Sequence, residues 1–154
     1  MSMQNLNNKN GIAVLRILFF AMMFGQIAFI CIIGWLRTRP DYSQNFTDNK
    51  MLLGAIALVS ALAVLLAFKL YASKIKLAQE AGATQEKVTI YKTGNIIRWA
   101  ILEAMVLLNL IMFFVMGDFN FMLFGLAAFL IFLSTMPTGQ RAMRELGLGD
   151  IENP

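Results

Sequence analysis

The sequence predicts an all-α membrane fold, a bundle of four transmembrane helices, and three observations carry that reading. Of 154 residues 58% are hydrophobic and 14% charged, where a soluble domain has roughly 45–50% apolar and about 25% charged residues. The apolar residues fall into four blocks, residues 11–36, 51–72, 96–116 and 119–136, each about long enough to cross a hydrocarbon core of roughly 30 Å as a helix. Basic residues crowd the ends of those blocks, where topology and anionic lipid headgroups ask for them. Lipid cannot satisfy exposed backbone groups, and such continuous apolar runs do not suit a barrel, so each block must be helical.

The first block stops at Arg37-Thr38-Arg39-Pro40, charge followed by a residue that disfavours further helix. Lys74, Lys76, Gln79 and Glu80 extend the second helix into water until Gly82 ends it. The rest of residues 73–95 reads as a solvated connector, with Thr84 capping a separate short helix whose Val88 and Tyr91 dock at the interface. Gly117-Asp118-Phe119-Asn120 makes a tight hairpin between the third and fourth helices. Pro137 closes the fourth, and Thr138 caps a short helix carrying Arg141 and Arg144, in a tail (137–154) expected on the membrane surface.

Orientation follows from the Lys and Arg positions. The N-terminal segment, residues 73–95 and the tail share one side of a four-span chain and, with adjoining helix ends, hold ten of the 13 cations. The positive-inside rule therefore puts both termini in the cytoplasm. Trp35 and Tyr42 on one side, and Tyr71, Tyr91 and Trp99 on the other, read as aromatic belts. A faint repeat relates the first and third helices: Arg16 and Arg98 open them, Gln26 and Asn109 follow ten and eleven residues on, then Gly34 and Gly117. It suggests two tandem hairpins in parallel.

Composition also excludes functions. There is no histidine and one cysteine, Cys31, so an internal disulfide, a Cys-rich metal site and most catalytic dyads are ruled out. The sequence has no phosphate-binding glycine loop, nucleophile elbow or paired-carboxylate site, so neither an enzyme nor a bound cofactor or metal is expected. A net charge of +4 without a compact basic patch gives no support to nucleic-acid binding. Asn45-Phe46-Thr47 matches a glycosylation acceptor, a weak three-residue pattern.

Glu103 is the most informative residue. It lies seven residues into the third block, roughly 10 Å below the boundary at about 1.5 Å per residue. A charge near the bilayer centre costs about 2.5–3.5 kcal/mol, which the apolar neighbours offset. Two outcomes stay open: a protonated acid donating a hydrogen bond to Gln26, Asn109 or Ser60, or an ionised one paired with Arg16, Lys69 or Arg98. Either fastens helices together or handles a proton or cation. Ala21 and Gly25, Ala57 and Ala61, and Ala100 and Ala104 offer small-residue spacing for close helix contact.

Ala100-Ile101-Leu102-Glu103-Ala104 in a long apolar helix resembles the carboxylate-bearing helix of ATP synthase proteolipid (c) subunits. In that family the acid matching Glu103 binds the transported proton, although its glycine-rich partner helix has no counterpart in residues 11–36 or 51–72. Arg98, Leu102-Glu103-Ala104, Gly117-Asp118 and Pro137-Thr138 make the whole chain similar to small four-span bacterial inner-membrane proteins of unknown function. That resemblance implies an inner membrane and no activity. The expected role is an accessory or assembly component whose partners are the bilayer with its anionic headgroups and a second copy or another membrane protein. The alternative is a small proton- or cation-coupled carrier or oligomeric channel using Glu103.

Overall fold

The computed structural model describes residues 3–39 and 50–147, with side chains from residue 11 onward. Its described residues form five helices and no strand: α1 (Met3–Arg37), α2 (Lys50–Glu80), α3 (Thr84–Met116), α4 (Phe119–Ser134) and α5 (Gly139–Glu145). Three of them, α1 to α3, are long and apolar enough to cross a membrane; α4 and α5, bent by 76° at their break, make up to a fourth candidate span. Pro40, Tyr42, Asn45-Phe46-Thr47 and the tail after Gly147 lie outside the described residues.

The third helix is the hub. In its most apolar stretch 28% of residues are buried, against 17% in α1 and 6% in α2. Each neighbour offers one stripe at helical spacing. On α1 it is Leu15, Phe19, Gln26 and Ile33; on α2, Ala67, Tyr71 and Ala78; on α4, Phe121, Gly125, Ala128 and Phe132. The first helix runs parallel to α3. Gly11 abuts Val88 and Lys92, the Phe19 ring meets Trp99 at 5.2 Å, and the Arg37 guanidinium lies over Phe113 at 5.7 Å. Both α2 and α4 run antiparallel to it. Ser60 meets Asn109 while Tyr71 meets Arg98; Phe119 meets Phe113 while Thr135 meets Trp99. The main core draws on all five helices, and within it Phe19 stacks on Phe132 at 4.7 Å.

Residues 73–95 are helical except at the 81–83 turn. The expected short helix is instead the first three turns of α3, and Thr84 is its first residue rather than its cap, which is Ala83. Tertiary contact overrides the polar composition here: Val88 and Tyr91 are buried, and the two helices close on each other at Gly94. A Cβ at Gly94 would sit 3.0 Å from the Lys74 Cβ, so a larger residue would hold α2 away. The Gly117-Asp118 hairpin forms as its residues dictate. Gly117 adopts φ 73°, and Asp118 caps α4 by accepting from the Asn120 N–H. Thr138 caps α5 as expected, its side chain accepting from the Arg141 N–H. The tail helix does not lie apart on a surface; Ala142 and Leu146 are buried in the main core.

The small-residue pairs are not where helices meet. Ala21, Gly25, Ala61, Ala100 and Ala104 are exposed, and close approach occurs instead at Gly11, Gly94 and Gly125.

Replacing Gly117 by Ala forces a Cβ into the left-handed region, where an L-residue costs about 1–2 kcal/mol, and onto the Arg37 guanidinium. The variant's unfolding free energy in mixed micelles should fall by that amount, and an unchanged value would refute the reading of this turn.

Candidate functional site

Two polar groupings interrupt the apolar interior. The first lies midway along the helices. Asn109, fully buried on α3, donates from Nδ2 to the Ser60 Oγ of α2 at 2.9 Å and to its own Met105 carbonyl at 2.8 Å. Its Oδ1 is buried without a hydrogen-bond partner. Gln26 is equally buried on α1, and neither its amide oxygen nor its nitrogen has a partner among the described residues. The α1–α3 register set by Phe19–Trp99 and Arg37–Phe113 places Gln26 at about the level of Glu103.

Glu103 makes none of the contacts the sequence offered it. It is half-buried and has no hydrogen bond or ion pair among the described residues. Its helical position explains why. It sits on the flank of α3 between the buried line of Trp99, Val106 and Leu110 and the exposed Ile96 and Ala100. Ser60 accepts from Asn109 instead. Of the three candidate cations, Lys69 is exposed on α2, Arg16 is exposed on α1, and Arg98 is buried on a different face of α3.

The second grouping surrounds that buried Arg98, 1% exposed. Its guanidinium lies 3.7 Å from the Tyr71 ring centroid and 5.8 Å from that of Phe68. Nη2 donates to Asn95 Oδ1 at 2.7 Å and, longer, to the Thr135 carbonyl at 3.4 Å. Two other arginines reach the same end of α4: Arg16 Nε donates to the Pro137 carbonyl at 3.2 Å, and Arg141 Nη1 to the Ser134 carbonyl at 3.4 Å. The last four carbonyls of a helix lack intrahelical partners, and cations are favoured beside them. Three guanidiniums, from α1, α3 and α5, thus gather where α4 ends. The Arg16–Arg98 correspondence in the sequence has this physical counterpart: parallel helices carry both to one acceptor segment.

A second line of contacts holds α5 down. Tyr71 donates its hydroxyl to Glu145 Oε2, Arg141 Nε pairs with Glu145 Oε1 at 2.9 Å, and Gln79 Nε2 donates to the Glu145 carbonyl at 2.9 Å. Trp99 Nε1 donates to Thr135 Oγ1 at 3.0 Å, and that hydroxyl donates to the Phe132 carbonyl at 2.6 Å. Sequence reasoning missed Tyr71, Asn95, Trp99, Thr135 and Glu145 as members of one network. The expected belt positions of Tyr71, Tyr91 and Trp99 are corrected: all three are buried. The available signal was Tyr91, Asn95, Arg98 and Trp99 at helical spacing, polar or amphipathic side chains repeating on one face.

Among the described residues no group of His, Cys, Asp and Glu is placed to hold a metal ion. Comparison with protein-family models, curated proteins and solved structures finds no match.

Two outcomes check these assignments. Tyr71→Phe removes a hydrogen bond to a charged group, worth about 1.5–3 kcal/mol, so trypsin cleavage at Arg141 and Arg144 in micelles should accelerate by roughly tenfold or more; an unchanged rate would mean that α5 is held otherwise. A double-mutant cycle over Ser60→Ala and Asn109→Ala should give a coupling of about 0.6 kcal/mol, the average for interhelical hydrogen bonds in a membrane protein, and zero coupling would deny the pair.

Proposed function

We propose that this chain is a four-span inner-membrane protein with both termini in the cytoplasm, and that it serves as an accessory or assembly component of a membrane complex. The observation that carries the reading is the outward face of α2. Only 6% of its most apolar stretch is buried, and with α4 it frames an open apolar groove of about 450 Å³ lined by Ala57, Ser60, Ala61, Val64, Phe124 and Ala127. A helix so little used within its own protein has surface for a neighbouring helix to pack against, and small residues admit close approach. The cation asymmetry supports the orientation, and the four apolar blocks support the span count.

A photo-crosslinking residue at Ala61, used in native membranes, should give one discrete adduct with another membrane protein. Adducts with lipid or with the same chain alone would contradict the accessory role.

A second reading has its own observation. Glu103 lies in an apolar stretch with no partner among the described residues, the state in which an acid binds and releases a proton or cation. Under that reading, proton or cation flux into liposomes carrying the native protein exceeds flux with Glu103→Gln. Equal flux, or none in either, removes it.

A further inference from the structure

We propose that copies of this chain associate head to tail in the membrane, the Lys69 face of one against the Glu103 edge of the next. Glu103 and Lys69 are opposite charges on apolar helices, and neither has an ion pair or hydrogen bond among the described residues. An unpaired charge in such a setting is costly, and acids and bases there characteristically pair with each other. Within one chain they cannot meet. Tyr71 and Ala67 define the side of α2 that faces α3, and Lys69, two residues from each, points to the opposite side. Glu103 lies on the free flank of α3, away from α2.

Their depths nevertheless agree. The antiparallel register, fixed by Tyr71 with Arg98 and Ser60 with Asn109, sets Lys69 level with Ala100. Glu103 is then one turn away, about 4–5 Å along the axis at about 1.5 Å per residue, within the reach of a lysine side chain. Copies inserted in the same direction bring these depths together. The flanking surfaces are apolar on both sides: Leu58, Leu62 and Leu65 accompany Lys69, and Ile96 and Ile111 accompany Glu103, all exposed. Because the two faces differ, the contact is heterologous and repeats from copy to copy, closing into a ring where the rotation allows. It is centred on the Lys69 side of α2 and meets the α2–α4 groove at Leu65.

The test keeps both charges and reads their effect. In a Cys31→Ser background, one tagged copy carries Ala72→Cys and a differently tagged copy carries Ile96→Cys, exposed positions at the same level one turn from Lys69 and two turns from Glu103. Oxidation of native membranes should link the two tags into one heterodimer, while neither variant expressed alone links to itself. Lys69→Glu in the first copy, or Glu103→Lys in the second, should lower the yield at least tenfold, and both together should restore it. Lys69→Met and Glu103→Gln keep the helices apolar and should also lower the yield, which covers a charge-reversed chain that fails to insert. No link between inserted copies, a yield indifferent to all four substitutions, or self-linking of Ala72→Cys alone would overturn the proposal.

Discussion

The last carbonyls of a helix have no intrahelical donors, and supplying donors where α4 ends is the constraint that shapes the molecule most. The fourth helix ends at an exposed Ser134, and the next residue, Thr135, turns into the protein with only 1% exposure. The carbonyls of Ser134, Thr135 and Pro137, at and just past the helix end, take side-chain donors. Arginine suits that task because its charge persists and its planar fork reaches several acceptors. Arg16, Arg98 and Arg141 arrive from three different helices. Their convergence fixes the mutual heights of α1, α3, α4 and α5 at one end of the molecule.

The same physics places Arg98 on Tyr71. A buried cation without a carboxylate in contact needs compensation, and here Nη2 bonds Asn95 and the Thr135 carbonyl against an aromatic face, while Nε and Nη1 have no hydrogen-bond partner among the described residues. Tyr71 then connects outward to Glu145, which Arg141 pairs. The chain of contacts joins α2, α3, α4 and α5 without a direct Arg98–carboxylate bridge. At the other end the described residues contribute a glycine turn, the Asp118 cap, and the contacts of Phe113 with Arg37 and Phe119. The polar network and the aromatic cluster of Phe19, Trp99 and Phe132 lie at the same end, where α5 packs.

The sequence made the apolar blocks legible because their boundaries are set by local chemistry: charge after Leu36, the Gly117-Asp118 turn, Pro137 and the Thr138 cap. It concealed residues 73–95, where Lys74, Glu86 and Lys87 read as solvated but one face carries Tyr71, Ala78, Val88 and Tyr91 into the core. An amphipathic pattern with so few apolar positions becomes decisive only once both helices are present. Arg98 was visible as a candidate, yet its partner was misjudged because Glu103, five residues on, faces another way around α3. Gln26 and Asn109 were found as intramembrane polar residues, whereas the pairing of Asn109 with Ser60, and the isolation of Gln26, depend on register that no local pattern encodes.

All of this supposes that the apolar helices are bilayer-crossing and that the 81–83 turn and the 117–118 hairpin lie on opposite sides. The most direct measurement is labelling of single cysteines, Gly82→Cys and Asn120→Cys in a Cys31→Ser background, with a membrane-impermeant maleimide on intact cells and after permeabilisation. Both positions are exposed at helix ends. Residue 120 should label in intact cells and residue 82 only once the membrane is opened; labelling of both from the same side would contradict the bilayer-crossing arrangement.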